Sequence, residues 1–330
     1  TNTNKTKRNM PDFPTPPWSR HGKTYEKTLI ARGKWIDQNR TERPVPFKIY
    51  YPAPQDVTAG EKLPVIIWSH GLGGTRDGAG FISRYLAHFG YIIVHIQHHG
   101  TDSYLWEGKA GHPWDNIRAA KIPRKMALQR YQDVPYALKC LKNGTDIAPE
   151  ILDIMDLSTI GMSGHSFGAG TTQIMAGQSL GRGRRLYHFK HDDFKAGILY
   201  SPIPSFNRQD AAETIYGQID IPLMHMTGTE DYSPIDNTDY KTRLEIFEHV
   251  DKAAQHLFIL EDGDHMIYSG SRGQLAGNVN RERHEELILI ASLAFWDAHL
   301  HHDQAATEWL TKGGFSAYLG KDGHYQYKSN

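Results

Sequence analysis

The sequence predicts an α/β protein in which a mostly parallel, doubly wound sheet is flanked by helices. Continuous apolar runs, typical of strands buried on both faces, recur along the chain. Segments with apolar residues at helical spacing lie between these runs, and such alternation predicts a parallel sheet. A hydrophobic content of 39% over 330 residues is enough to bury a core.

The predicted strands follow in chain order. Residues 45–52 alternate well enough for a strand, and residues 64–69 form a continuous apolar run. Five later runs are also expected to lie within the sheet, namely 91–96, 157–163, 195–201, 221–227 and 256–260.

Helices are predicted between and after the strands. Apolar residues recur at helical spacing within residues 78–89. Residues 125–142 also have a helical pattern, which Pro135 is expected to kink or split because proline lacks the N–H donor. The aromatic segment 97–125 is expected to be irregular. Further helices are expected at 171–177, 239–251 and 281–299.

Three parts of the chain are expected to differ in organisation. Residues 1–20 are polar and then proline-rich, which predicts an extended N-terminal arm. Residues 21–302 are expected to form a single domain, because α/β folds often use this length for one core. Residues 303–330 are expected to form a C-terminal tail that packs on this domain or extends from it.

The charge balance argues against nucleic acid as a partner, and the length of the apolar runs argues against a membrane span. Lys plus Arg and Asp plus Glu both number 37, and this balance argues against nucleic acid binding, which needs a basic surplus. The longest apolar run, near residues 287–296, is much shorter than the ~20 residues of a membrane span. The chain begins at Thr1, which is compatible with removal of a signal peptide and with a secreted or periplasmic location, although the compartment stays open.

No cofactor or metal is expected. Cys140 is the one cysteine, so a Cys-based metal site and an intrachain disulfide are excluded. Glycine-rich loops that bind dinucleotides or nucleotide phosphates are missing from the strand–helix turns. The adjacent His301 and His302 are interpreted as an exposed pair at a helix end.

Residues 164–168, Gly-His-Ser-Phe-Gly, match the G-x-S-x-G pattern of an activated serine. The match lies between a predicted strand and a predicted helix, which is the context that the pattern requires. We expect Ser166 at strained backbone angles on a tight turn, with Gly164 and Gly168 avoiding collisions with neighbouring elements. The serine would then lie at a helix N-terminus, whose partial positive charge favours an oxyanion.

A nucleophilic serine needs a base, and the base needs a carboxylate that orients it. In doubly wound hydrolases the order along the chain is Ser, acid and His, each after a strand. Asp231 follows the predicted strand 221–227, and His265 follows 256–260. We therefore predict a Ser166–His265–Asp231 catalytic triad. Eighteen other histidines compete with His265, and three carboxylates compete with Asp231, namely Glu230, Asp236 and Asp239.

The remaining candidate site residues lie in two loops and beside the predicted base. An oxyanion hole needs two backbone donors, which we assign to the N–H groups of Phe167 and of Leu72 in the loop Ser-His-Gly-Leu-Gly-Gly at 69–74. Three side chains are predicted to bind substrate: Tyr104, Trp106 and Met266.

The chain resembles the α/β-hydrolase superfamily, and within it the branch of platelet-activating-factor acetylhydrolases and predicted dienelactone hydrolases. The resemblance spans roughly residues 45–300 and implies the α/β-hydrolase fold and a serine carboxylic-ester hydrolase without a cofactor. Dienelactone hydrolases use a cysteine nucleophile, whereas this chain has Ser166. The segments that carry the resemblance are His70–Gly73, Gly164–Gly168, Gly228–Asp231 and Asp264–His265.

From these features we expect hydrolysis of short-chain or aromatic acyl esters, through an acyl-enzyme intermediate, on a small-molecule or polymeric substrate. The same triad would serve a polyester- or cutin-degrading hydrolase, a serine peptidase or an acyltransferase. A non-catalytic interaction protein on a hydrolase fold is a more remote alternative.

Overall fold

The structure, a computed structural model, describes residues 12–270 and 278–330. They form a mixed α/β architecture around a nine-stranded sheet. In chain order, the strands are β1 (Thr28–Asp37), β2 (Arg43–Pro52), β3 (Leu63–Ser69), β4 (Ile92–Ile96), β5 (Met155–His165), β6 (Phe194–Tyr200), β7 (Leu223–Glu230), β8 (Gln255–Asp264) and β9 (Gly323–Lys328).

Helices connect most of these strands and cover both faces of the sheet. In the same order, they are α1 (Gly80–His88), α2 (Pro113–Ala119), α3 (Arg124–Asn143), α4 (Pro149–Leu152), α5 (Phe167–Ala176), α6 (Ala212–Tyr216), α7 (Tyr240–Arg243), α8 (Glu245–His249), α9 (Arg281–His299), α10 (Gln304–Thr311) and α11 (Gly314–Leu319).

The order of strands in the sheet is β1-β2-β4-β3-β5-β6-β7-β8-β9. Pairing is parallel from β4 through β8, and antiparallel for β1, β2 and β9 at the two sides. The chain order reverses between β3 and β5, which lie side by side. Their carboxyl ends therefore open a crevice, the usual place for a ligand site in such sheets.

The continuous apolar runs are explained by helices on both faces. In β3, Ile66 and Trp68 pack in a cluster with α1 and α9, whereas Val65 and Ile67 pack in a second cluster with α3. Successive side chains of a strand point to opposite faces, so an interior strand covered on both sides needs apolar residues at every position.

Some predicted elements differ from the structure. Helix α3 continues through Pro135, so the predicted split does not occur. Proline removes one hydrogen bond, while Val134 and Leu138 on the neighbouring turns are buried in the core. The segment expected to be irregular contains α2, which has Pro113 in its first turn and a His112 side chain that caps its N-terminus. The predicted helix at 239–251 is two shorter helices, α7 and α8.

The described part of the predicted N-terminal arm lies against the body of the protein, and residues 1–11 lie outside the described residues. Trp18 is buried, and its indole N–H donates to Asp297 on α9. Arg20 forms an ion pair with the same carboxylate at 2.7 Å. At the other end of the chain, α10 and α11 pack beside α9, and β9 extends the sheet.

In the described part of the chain, no helix combines the length and the apolarity that crossing a bilayer requires.

Several histidines are buried without charge, which predicts a loss of stability in acid. Burial lowers the pKa of His95 to about 3 and, for His98 and His225, to about 4. An unfolded histidine titrates near ~6.5, so below that pH the unfolded chain binds protons that the folded chain does not. We expect the free energy of unfolding to fall from pH 6.5 towards pH 4, by roughly 1 kcal/mol per pH unit for each such histidine.

Urea unfolding between pH 8 and pH 4.5 measures this loss. His225→Gln should reduce the slope, because it removes one buried group that titrates, whereas His188→Gln on the exposed loop before β6 should leave the slope unchanged. Equal stability at pH 8 and pH 5 would contradict the expectation.

Candidate active site

The proposed nucleophile occupies a strained turn between β5 and α5. Ser166 has φ 56° and ψ −114°, a region that residues with side chains rarely adopt. The turn is possible because two glycines lie against β3. A Cβ atom on Gly164 would lie 2.6 Å from the Ser69 carbonyl oxygen, and one on Gly168 would overlap the same oxygen. The sequence pattern thus corresponds to close packing of two strands and a helix.

Three side chains form a continuous hydrogen-bonded chain at this turn. His265 Nε2 lies 2.9 Å from Ser166 Oγ. The other ring nitrogen, Nδ1, lies 2.7 Å from Asp231 Oδ1. Since an ionised carboxylate can only accept, Nδ1 carries the proton and Nε2 is free to accept one from the hydroxyl. This is the arrangement needed to activate a serine.

Asp231 is fully buried at the end of β7, where four groups hold it as a carboxylate. Burial alone would raise its pKa, but hydrogen bonds from His265 and Ser201 and the charge of Arg243 outweigh burial and lower the pKa to about 2. Ser201 Oγ and Thr227 Oγ1 donate to Oδ2 at 2.6 and 2.8 Å. Asp231 therefore stays ionised throughout the neutral range.

The competing carboxylates lie elsewhere. Asp239 caps α7 by accepting from the Thr242 N–H, and Asp236 accepts from the Thr238 N–H. Glu230 is exposed. None of the three contacts a histidine among the hydrogen bonds and ion pairs of the described residues.

A second histidine supports the backbone of the first. His165 precedes the serine, is buried, and directs Nε2 at the carbonyl oxygen of His265 at 2.6 Å. Burial and the neighbouring His265 lower the pKa of His165 to about 3, so it remains neutral. The competing His225 and His256 are buried at other places in the sheet, where they contact Gln255 and Tyr325.

The two predicted oxyanion donors lie beside the serine. Phe167 is the first residue of α5, and Leu72 lies in the loop after β3 and lines the same cavity as Ser166. Neither backbone N–H donates to an acceptor in the described part of the chain. The loop is held by hydrogen bonds from the Gly73 N–H to the Thr101 carbonyl oxygen and from the Trp106 indole to the Gly73 carbonyl oxygen.

A cavity of about 330 Å³ opens over these groups. Its floor contains Ser166 and His265, and one side is formed by the glycine-rich loop. Its other walls are largely apolar. The side chains that form them are Trp68, Trp106, Trp114, Ile117, Pro234, Ile235 and Met266.

The predicted substrate-binding residues have different locations. Trp106 and Met266 line the cavity, and their role in binding substrate stays a prediction. Tyr104 does not line it, and its side chain is 62% exposed. The short 3-10 turn Ser103–Leu105, capped by Asp102, directs Leu105 inward and Tyr104 outward, which explains this difference.

Sequence reasoning missed part of the cavity wall. Trp114 and Ile117 come from α2, and Pro234 and Ile235 come from the loop after β7. Arg118 joins the two walls, because its Nε donates to the Pro234 carbonyl oxygen at 2.8 Å. Pro113, at the start of α2, is the sequence feature that could have indicated this helix.

Within residues 12–270 and 278–330, no group of three or more His, Cys, Asp or Glu side chains is arranged to hold a metal ion.

Comparison with known proteins places the chain near one group of enzymes. The family model described as platelet-activating factor acetylhydrolase, isoform II, matches residues 37–112. A platelet-activating factor acetylhydrolase from Cavia porcellus is 26% identical over 285 residues, which cover 76% of this chain and 60% of that relative. The predicted resemblance to platelet-activating-factor acetylhydrolases is thus confirmed.

Two other relatives match shorter segments. A platelet-activating factor acetylhydrolase from Canis lupus familiaris is 29% identical over 140 residues, covering 34% of this chain and 31% of the relative. A putative phospholipase A2 from Schizosaccharomyces pombe is 24% identical over 177 residues, covering 42% of this chain and 40% of the relative. The matched segments span about 60%, 31% and 40% of the lengths of these three relatives.

Proposed function

We propose that this protein is a serine carboxylic-ester hydrolase of the α/β-hydrolase fold, with Ser166 as nucleophile, His265 as base and Asp231 as orienting acid. The proposal includes the division into an arm (1–20), one hydrolase domain (21–302) and a C-terminal tail (303–330). The observation that supports the proposed function most directly is a hydrogen-bonded chain at the floor of an apolar cavity. This chain runs from Asp231 through His265 to the Ser166 hydroxyl. The names of the relatives support the same class of reaction.

In the first half-reaction, Ser166 Oγ attacks the ester carbonyl while His265 Nε2 takes its proton. The imidazolium that forms is stabilised by the buried Asp231 carboxylate 2.7 Å away. The carbonyl oxygen becomes an oxyanion, which the Phe167 and Leu72 N–H groups bind. His265 then returns the proton to the departing alcohol, leaving an acyl-serine.

In the second half-reaction, water takes the place of the alcohol. His265 Nε2 accepts a proton from the water as it attacks the acyl-serine, and the same two N–H groups bind the second oxyanion. Collapse of this intermediate returns the proton to Ser166 and releases the carboxylic acid. All protons in the cycle pass through one imidazole nitrogen.

The cavity favours small or flat acyl esters. Its volume is near the lower end of the ~300–1,000 Å³ usual for ligand pockets. Trp106 and Trp114 offer flat apolar surfaces that suit an aromatic group. A phospholipid ester with a short acyl chain is a second candidate, which the similarity to a platelet-activating factor acetylhydrolase and to a putative phospholipase A2 favours.

A panel of substrates tests the proposal. The panel contains p-nitrophenyl esters from acetate to palmitate, an aromatic diester, a short-chain phospholipid ester and a p-nitroanilide. We expect the largest kcat/KM for p-nitrophenyl acetate and butyrate, at least ~10-fold above palmitate, because longer chains exceed the cavity. Preference for the anilide would indicate a peptidase instead, and preference for the diester a polyester hydrolase.

A fluorophosphonate probe supplies an independent measurement, because it reacts covalently with activated serines. We expect one label per chain, on Ser166. An unlabelled native protein that also hydrolyses none of the esters would refute the proposed function.

A further inference from the structure

A buried arginine lies directly beneath the proposed oxyanion hole. Arg130, on α3, has no exposed surface. Its guanidinium forms no ion pair with a carboxylate of the described residues. The oxygens that it contacts are all neutral, and Nη2 also lies 3.3 Å from His70 Nδ1. The Nε atom donates to Thr101 Oγ1 at 2.8 Å, and Nη1 donates to the His70 carbonyl oxygen at 2.6 Å.

The guanidinium also helps to hold the peptide group that contains the Leu72 N–H. The Gly71 carbonyl oxygen of this peptide lies 3.3 Å from Arg130 Nη2 and 2.6 Å from His70 Nδ1. The His98 N–H donates to His70 Nε2, so Nδ1 carries the ring proton and is the donor. The Gly74 N–H adds a third hydrogen bond at 3.1 Å.

These three donors fix the direction of the Leu72 N–H. In a planar trans peptide, the C=O and N–H bonds point in opposite directions. Donors that hold the Gly71 oxygen on the interior side therefore keep the Leu72 hydrogen on the opposite side. Leu72 lines the cavity and its N–H donates to no acceptor in the described part of the chain, so this group is free to donate to a substrate.

The same guanidinium contacts the residue that supplies the other donor. Its central carbon lies 4.3 Å from the centroid of the Phe167 ring, a cation–π distance. Burial lowers the pKa of Arg130 to about 9, so the group keeps its charge at neutral pH. One positive group thus contacts the Gly71–Leu72 peptide, through its oxygen, and the Phe167 ring, and no carboxylate in the described part of the chain pairs with it.

We propose that Arg130 is a positioning residue that orients the Leu72 and Phe167 backbone donors towards the developing oxyanion. The proposal rests on the proposed function. It goes further by assigning a role to a side chain that does not touch the substrate. A donor turned away from the oxyanion weakens binding of the transition state while ground-state binding is kept, so the effect should fall on kcat.

Arg130→Lys keeps a positive charge but cannot reach three oxygens in the same geometry. We expect kcat for p-nitrophenyl acetate to fall roughly 10- to 100-fold, less than the full loss of an oxyanion donor, with KM changed by no more than about 3-fold. An arylboronic acid forms a tetrahedral anionic adduct with an activated serine. Its Kd should rise by the same factor as kcat falls, which a purely structural role would not produce.

Arg20→Lys is the matched control, since Arg20 is also a largely buried arginine and contacts Asp297 and Phe89, outside the site. It should lower thermal stability and leave kcat unchanged. Thr101→Val retains Arg130 and removes the acceptor of its Nε, together with a 3.3 Å hydrogen bond from the Thr101 hydroxyl to the His98 carbonyl oxygen. Here we expect an intermediate loss in kcat of about 3- to 10-fold. This second variant covers the case in which Arg130→Lys does not fold.

Two results would overturn the role of Arg130. One is a kcat and a boronic acid Kd within 2-fold of the native values in Arg130→Lys or, where that variant does not fold, in Thr101→Val. The other is an equal loss of kcat in Arg20→Lys. Either would leave the proposed function intact, provided that the native protein turns over esters, because the proposed function fails only if the native protein neither hydrolyses esters nor takes the fluorophosphonate label.

Discussion

Ser166→Ala is expected to lose hydrolysis of p-nitrophenyl acetate almost completely, by up to ~10⁶-fold in kcat. The hydroxyl is the atom that would form the acyl-enzyme, and no other hydroxyl of the described residues hydrogen-bonds to His265. The Cβ of serine is retained in alanine, so the strained turn should remain. Steady-state kinetics and fluorophosphonate labelling measure the result.

Ser163→Ala is the matched control for this prediction. Ser163 lies on β5, three residues before the proposed nucleophile, and is buried. Its hydroxyl donates to the Ile67 carbonyl oxygen rather than to a histidine. We expect a modest loss of stability and nearly native kcat. If Ser166→Ala retained more than a few per cent of activity or its label, another nucleophile would have to be sought.

Asp231→Asn is expected to lower kcat by ~10³- to 10⁴-fold without unfolding the protein. An asparagine amide can donate to His265 Nδ1, which then favours the tautomer with its proton on Nε2. In that tautomer the ring donates to Ser166 and cannot take its proton. Loss of the negative charge also removes the stabilisation of the imidazolium. Steady-state kinetics at saturating substrate checks this prediction.

The carboxylates that compete for the same role supply the comparison. Asp239→Asn alters only the exposed cap of α7, and Asp236→Asn alters a turn in the loop after β7. Both should retain nearly native kcat. If Asp239→Asn lost as much activity as Asp231→Asn, the assignment of Asp231 as the acid that orients His265 would be rejected.

Sequence reasoning found the interior of the sheet because burial leaves a strong local signal. Strands such as β3 are covered on both faces and must be apolar at every position. The arrangement of Ser166, Asp231 and His265 also follows from chain order, because the carboxyl ends of β5, β7 and β8 meet at one edge of a parallel sheet. The sheet topology therefore brings together three residues that are far apart in the sequence.

The strands at the two edges of the sheet have a weaker sequence pattern than the interior strands. Strand β1 is buried at only two of its ten positions and pairs along its whole length with β2. Strand β9, Gly-His-Tyr-Gln-Tyr-Lys, has mostly polar residues and pairs with β8. An edge strand obtains its stability from backbone hydrogen bonds to its neighbour, which no local apolar pattern reports.

The polar groups behind the site could not be inferred from local pattern. Ser201 and Arg243 contact Asp231 from different parts of the chain. Arg130 resembles a surface residue in its helix, since arginine is rarely fully buried. Its proposed role depends on the packing of α3 against the loop after β3. The residues in contact there, Arg130 and His70, are about sixty positions apart in the sequence.

The last strand, β9, has a consequence for the strand that leads to His265. Residues 323–328 satisfy the outer backbone groups of Gln255–Leu260, the part of β8 that leads to His265. In a chain truncated before Gly323, β8 would be an exposed edge strand, and such a strand can pair with a strand of another copy of the molecule. The C-terminal segment thereby covers the backbone edge of β8 at a place only a few residues from the proposed base.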